Sequence, residues 1–206
     1  MKIHETLKRG FFCAAGASVF LFATACNGND VPSGNVDIWS TYNTTKIMRE
    51  KYDYVKRDAS IDVEMAKNEV EGAQIVFTPE YDVKSYDLVL SDLHCGDAVF
   101  PKENIVAYKQ GYVNVTSKTP NQQNAAYPTG WTADFMLPLE KAKEYGETTV
   151  SKGHNQGITV EFSSVTDMPA GVYTGSFTLI IDKKNTDIPV SVTVWDIDVS
   201  KVYGKS

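Results

Sequence analysis

Two pairs of carboxylates in this sequence are spaced so that they could do acid–base chemistry: Glu69 with Glu71, and Asp196 with Asp198. Residues two apart on a strand share a face at roughly 6.5–7 Å. Cleaving a sugar acetal takes two carboxyl groups about 5–5.5 Å apart for retention, or about 6.5–9.5 Å apart for inversion. Spacing alone permits the reaction, but a chain with 26 acidic residues produces such pairs by chance. Glu69 reads instead as a partly buried carboxylate that accepts from the backbone amides of a turn. Asp196 and Asp198 read as a solvated strand end. Neither pair is assigned a catalytic role.

Other chemistries find less to use. The sequence has no Gly-x-Ser-x-Gly elbow, Walker loop or dinucleotide fingerprint. His94 and Cys95 are adjacent, so on a strand they point to opposite faces and cannot grip one metal together. His154 reads as a hydrogen-bonded residue of a loop or strand start. No catalytic residue, metal or cofactor is therefore expected. Exposed aromatic rings could instead make a sugar-binding platform, and Tyr108, Tyr112, Tyr127 and Trp131 lie in or before one long polar segment, Ser117–Trp131. Tyr127 and Trp131 are the candidate glycan contacts, with a core plug as the alternative reading of Trp131. A net charge of −6 argues against a nucleic-acid partner, because phosphate neutralisation needs a concentrated basic surface.

Residues 1–25 read as a leader. Lys2, Lys8 and Arg9 precede the uncharged apolar run Phe11–Ala25, which is short for a spanning helix of about 20 residues. The run ends in Ala23-Thr24-Ala25-Cys26, which resembles the lipobox cut by lipoprotein signal peptidase, with Ala23 where Leu, Val or Ile is usual. Cys26 is then the lipidation site. The polar Asn27-Gly28-Asn29-Asp30 resembles surface-export signals of Bacteroidetes lipoproteins. Loss of the leader takes the charge from −6 to −8, and residues 26–35 form a flexible tether around Pro32-Ser33-Gly34-Asn35. The expected location is the cell envelope, on an outer membrane reached through the lipid, periplasmic or surface-exposed. Cys95 is the only thiol left in the body, so no disulfide framework is expected there, and it reads as a small buried hydrophobe.

The elements that must position these residues are strands. Ile61, Val63 and Met65 alternate with Asp62 and Glu64, and Ile158–Phe162 alternates in the same way. Ala73–Phe77, Leu88–Leu90 and Ile105–Thr116 are further apolar runs, the last with Gly111 marking a bulge. Val172–Ile181 and Ile188–Ile197 pair across the turn Asp182–Asn185. Leu139–Tyr145 predicts a short helix ended by Gly146. The pattern predicts an all-β protein, an antiparallel β-sandwich with one short helix.

Several segments, taken in order, resemble the N-terminal β-sandwich of glycoside hydrolase family 123-like proteins. They are Trp39-Ser40, then Ala66-Lys67-Asn68-Glu69-Val70-Glu71-Gly72-Ala73-Gln74, then Ser91-Asp92-Leu93 and Tyr112-Val113-Asn114-Val115. Asp134-Phe135-Met136-Leu137-Pro138-Leu139, His154-Asn155-Gln156, Pro169–Gly175 and Pro189–Asp196 follow. The resemblance covers residues 36–199. It implies an accessory domain that precedes a catalytic barrel of N-acetylhexosaminidase type, with the acidic catalytic pair on the barrel. The sequence stops at Ser206, so the expectation is a non-catalytic sandwich, a fragment without that barrel, with residues 200–206 as a truncated linker. The alternative is a stand-alone carbohydrate-binding module using the 117–131 loop. The resemblance also implies that a sandwich face near Trp39 and Trp195 is built to be covered.

The lipid assignment has a direct check. Radiolabelled palmitate is expected to enter the wild-type chain and not Cys26→Ser; equal incorporation into both overturns it.

Overall fold

The computed structural model describes residues 34–50, 52–118 and 128–200. All of them belong to the second of the chain's two units, Met1–Asp30 and Val31–Ser206. The leader, Cys26, most of the tether, Tyr127 and residues 201–206 lie outside the described residues.

The expected all-β sandwich is present. One sheet has the order β1-β3-β9-β7-β8, made of Val36–Thr41 (β1), Val70–Pro79 (β3), Gln156–Ser163 (β9), Ile105–Val115 (β7) and Gly130–Pro138 (β8). The other has the order β2-β11-β10-β5-β6: Ile61–Lys67 (β2), Lys184–Asp198 (β11), Gly171–Ile181 (β10), Leu93–Cys95 (β5) and Ala98–Phe100 (β6). Tyr86–Val89 (β4) adds to β10 beside β5. Period-two alternation decides which side of each strand is buried. Ile61, Val63 and Met65 lie beside Ile188, Val190, Val192 and Val194 of the same sheet, in one core that also takes Ile158, Val160 and Phe162 from the other sheet. Phe162 lies at the centre of the aromatic packing, 6.1 Å from Phe100 and 6.2 Å from Phe177.

Pairing is antiparallel except between β2 and β11, which run parallel. β2 comes early in the chain and β11 last, so no hairpin joins them and forces an antiparallel pair. Gly111 marks a bulge, as expected, where the β7–β8 register shifts. The closing hairpin is tighter than expected. β11 begins at Lys184, so only Asp182 and Lys183 turn, at φ 45° and 69°. Both residues are left-handed, which matches the twist that a two-residue hairpin needs. The Asp182 carboxylate also accepts from Lys84 N and Ser85 N, at 3.0 and 2.9 Å.

The helix α1 spans Leu139–Glu144 and ends as a Schellman motif. Gly146 sits at φ 70°, Gly146 N donates to Lys143 O at 3.1 Å, and Glu147 N donates to Ala142 O at 2.7 Å. The segment read as the loop 117–131 is shorter than expected, because Gly130 and Trp131 already pair in β8 with Val115 and Asn114.

Tyr86 packs edge-on to Phe77 at 5.0 Å, and its hydroxyl is buried without a partner. Burial raises its pKa well above the ordinary value of 10, with smaller contributions from Tyr112 and Glu147. A tyrosine with a raised folded pKa stabilises fully below about pH 10 and loses that contribution as the pH climbs toward the folded value. Tyr86→Phe is therefore expected to leave the melting temperature at pH 7 equal or higher, and to move alkaline unfolding to higher pH. A large loss at pH 7 would mean that the hydroxyl has a partner after all.

Candidate functional site

The segments that carry the family resemblance meet at two places in the fold. The first is the end of the sandwich where β11 finishes. There the chain crosses from β2 to β3 through two residues, Asn68 and Glu69, with Asn68 left-handed at φ 58°. Short polar side chains tolerate that conformation better than most. The Glu69 carboxylate accepts from Ala66 N at 2.6 Å, which is the turn-bonding role that the sequence suggests. Ser164 Oγ donates to Ala66 O at 2.6 Å and accepts from Glu69 N at 3.1 Å.

The amide of Asn68 reaches the last strand, donating to Asp198 Oδ1 at 2.8 Å and to Thr166 Oγ1 at 2.6 Å. Lys67 Nζ pairs with Asp196 at 2.6 Å. Close by, the Tyr173 hydroxyl donates back to Pro169 O at 2.7 Å. Gly171 leaves the space that Cys95 fills, since a Cβ there would lie 2.6 Å from its Sγ. Cys95 is a free, half-buried thiol packed on the core. His94 is exposed on the opposite side of β5. Three of the four candidate carboxylates, Glu69, Asp196 and Asp198, are thus bound to a turn amide, a lysine and an asparagine.

The second place is the outer face of the β1–β8 sheet. The connection 42–60 between β1 and β2 lies over it. Gln74, 1% exposed, donates from Nε2 to Tyr42 O at 2.6 Å and to Thr45 O at 2.8 Å. Gln110 donates to Gln74 Oε1 at 2.7 Å and to Thr159 Oγ1 at 2.9 Å. Gly157 makes room for that amide, since a Cβ there would lie 2.1 Å from Gln110 Oε1. Asn155 donates to Met48 O at 2.9 Å and accepts from Thr78 Oγ1 at 2.6 Å. The Tyr112 hydroxyl donates to Asn155 O at 2.9 Å; burial pushes its pKa up, so it remains a donor. Gln74 and Asn155 belong to the resembling segments and tie down the connection, while Gln156, from the same segments, pairs with core-facing Phe77 and donates to Gln110 O at 3.0 Å.

Trp131 is not a core plug. It is half-buried, with the Arg49 guanidinium 4.1 Å from its ring centre. It borders a groove of about 300 Å³ together with Tyr112, Phe135 and His154. Arg49 therefore already takes up one face of the ring that a sugar would use. Trp39 and Trp195 are not on one face. Trp39 is 2% exposed on the outer side of the β1–β8 sheet, packed with Ile47 and Val76. Trp195 is 50% exposed on β11 of the other sheet. Nothing local in the sequence marks Arg49 or Gln110, and no role is assigned there to Tyr52 or Tyr54. The alternation Tyr52-Asp53-Tyr54 within a polar connection was the visible signal for the last two. Among the described residues, no three His, Cys, Asp or Glu side chains gather as a metal site.

No protein-family model matches the chain, and no curated protein sequence does either. Solved structures do. A family 123 glycoside hydrolase from Clostridium perfringens, studied for glycolipid glycan hydrolysis, is similar over 80% of this chain at 13% identity and a TM-score of 0.58. The match spans 28% of the hydrolase chain. The CooA pilin subunit of enterotoxigenic Escherichia coli is similar over 79% of this chain and 98% of its own, at 14% identity and a TM-score of 0.38. AvmM, which catalyses macrocyclization in alchivemycin A biosynthesis, is similar over 81% of this chain and 92% of its own, at 8% identity and 0.39. The first likeness shows a shared sandwich fold.

If the buried amides hold the 42–60 connection, Gln74→Ala leaves two carbonyls and the Gln110 amide short of partners. The expected loss is about 1–3 kcal/mol of unfolding free energy, with new protease cuts confined to residues 42–60. Unchanged stability and an unchanged digest contradict this role.

Proposed function

We propose that this chain is a non-catalytic accessory β-sandwich of a glycoside hydrolase 123-like cell-envelope lipoprotein engaged in glycan processing, anchored through Cys26. In this reading its partner is a catalytic barrel of that family. The observation that carries it is the convergence of Asn68-Glu69, Pro169–Tyr173 and Trp195-Asp196 on the end of the sandwich where β11 finishes. Those segments are far apart in sequence and resemble the family in order. The similarity to part of a family 123 hydrolase supports the reading at the level of fold.

Exposed apolar side chains lie beside this convergence. Val172 pairs across β10–β11 with Thr193, so on the outer face it neighbours Trp195; both are 50% exposed, and Ile197 is 56% exposed. A contiguous apolar strip rimmed by polar groups favours contact with another protein surface. The ion pair between Lys67 and Asp196 and the bond between Asn68 and Asp198 hold the strand that carries it.

Two outcomes follow. The chain alone is expected to hydrolyse no N-acetylgalactosaminide; turnover abolished by Glu69→Gln overturns the non-catalytic assignment. In titration calorimetry against a separately produced family 123 barrel, the wild type is expected to bind. Trp195→Ser is expected to lose about 2 kcal/mol, roughly thirtyfold in affinity, while Val99→Ser, on β6, binds as the wild type does. Equal binding by wild type and Trp195→Ser sinks the docking face.

A further inference from the structure

The sheet that runs from β2 to β6 has an outer face whose pattern of charge bears on the partner of the Trp195 strip; the inference rests on the docking reading above. Its outward side chains stand in register across three strands. Ser191 of β11 pairs with Asp62 of β2 and with Thr174 of β10, and Thr193 pairs with Glu64 and Val172. Directly paired residues share a face, so Asp62-Ser191-Thr174 and Glu64-Thr193-Val172 form two neighbouring rows. Trp195 comes one outward step after Thr193 along β11. Asp62, Glu64, Val172 and Thr174 are exposed, and Ser191 and Thr193 are half-buried.

Charge on this face is one-sided. Ile61, Val63 and Met65 fill the core, which leaves Asp62 and Glu64 to point out from β2. Among the described residues, no outward-facing position of β2, β10 or β11 is a lysine or arginine. Lys67 has the opposite parity and pairs with Asp196. Two further acids of the face are already bonded: Asp187 accepts from Thr178 Oγ1 at 3.2 Å, and Asp87 of β4 pairs with Lys143 at 2.5 Å. Asp62 accepts only from Ser60 Oγ, at 3.0 Å, and the Glu64 carboxylate bonds to no described side chain. Neither carboxylate has a lysine or arginine partner among the described residues.

A surface that covers Trp195 also approaches β2, because paired strands lie only about 4.7–4.9 Å apart. An acidic surface would be repelled there. An apolar one would strip water from two carboxylates and give them no counter-charge, which costs free energy. A basic one gains attraction during approach and in the complex. We propose that the barrel surface that takes up Trp195 carries lysine or arginine side chains ranged against Asp62 and Glu64. The carboxylates then draw the partner in, and the apolar strip holds it. β2 is also the edge strand of its sheet, and charges on an edge deter pairing with a stray strand. Edge protection alone asks nothing of the barrel and would leave their association untouched.

The test passes the chain over an immobilised family 123 barrel and reads both rate constants by surface plasmon resonance. Salt is raised from about 10 to about 150 mM, which shortens the Debye length from about 30 to about 8 Å. The wild-type association rate is expected to fall as salt rises. Asp62→Asn combined with Glu64→Gln is expected to associate about tenfold more slowly at low salt and to lose most of the salt dependence. Glu64→Gln alone, which removes no bond within the described chain, is expected to move both readings the same way. Trp195→Ser is expected to keep the salt dependence and dissociate faster. Glu103, just before β7, and Glu140, in α1, are exposed acids away from this face. Neutralising both changes the net charge equally and is expected to leave association as in the wild type. Wild-type rates in the Asp62–Glu64 variant, with Trp195→Ser still weakened, overturn the basic flank and leave the docking strip standing. Equal slowing by the Glu103–Glu140 variant overturns it too, as does a wild-type association rate that rises with salt. Absence of any wild-type binding takes down both readings.

Discussion

A chain that passes from one sheet of a sandwich to the other in two residues leaves backbone groups at the corner that neither sheet's ladder can satisfy. Here that corner is Asn68-Glu69, and everything around it answers that need. Glu69 accepts the amide of Ala66, Ser164 bridges Ala66 and Glu69, and the left-handed Asn68 turns its amide outward to Asp198 and Thr166. The corner therefore fastens three separate stretches: the β2–β3 turn, the loop after β9 and the end of β11. Three of the four carboxylates that pair in sequence, Glu69, Asp196 and Asp198, are fastening groups.

The outer face of the β1–β8 sheet obeys the same rule with different residues. A connection laid over a sheet must find partners for its carbonyls. Gln74 and Asn155 supply them from a strand and a strand end, and Gln110 holds the Gln74 amide in place. Buried amides fix a single arrangement in proportion to how fully they are bonded; here Gln110 Oε1 is buried without a partner, while the other amide atoms of the three are bonded. The rigid connection that results holds the Tyr52, Tyr54 and Trp39 rings in a fixed order. What clamps the connection thus also shapes the cavity beneath it.

Much of this was legible in the sequence where the signal was local. Period-two alternation marked β2, β9, β10 and β11, and Gly146 marked the end of α1. The bulge at Gly111 was equally plain. Three-residue strands such as β5 and β6 carry too few residues for a period to register. β8 was hidden by Asp134, Phe135 and Met136, which are consecutive and all exposed, so no alternation survives there. The parallel pairing of β2 with β11 is invisible because it joins residues more than a hundred positions apart. Sequence separation also conceals the partners of Gln74, Asn68 and Asn155, which lie 29 to 130 residues away: sequence shows that an amide is present, and only the fold shows which acceptor it meets. Trp131 was ambiguous for a related reason, since Arg49 covers it from a segment about eighty residues away.

The corner can be tested by a double-mutant cycle in urea between Asn68→Ala and Asp198→Ala, with stability as the readout. If the Asn68 amide fastens the end of β11, the two losses are coupled, by about 0.5–3 kcal/mol. Losses that add within about 0.3–0.5 kcal/mol would contradict the account, because two groups that act through each other cannot be removed independently.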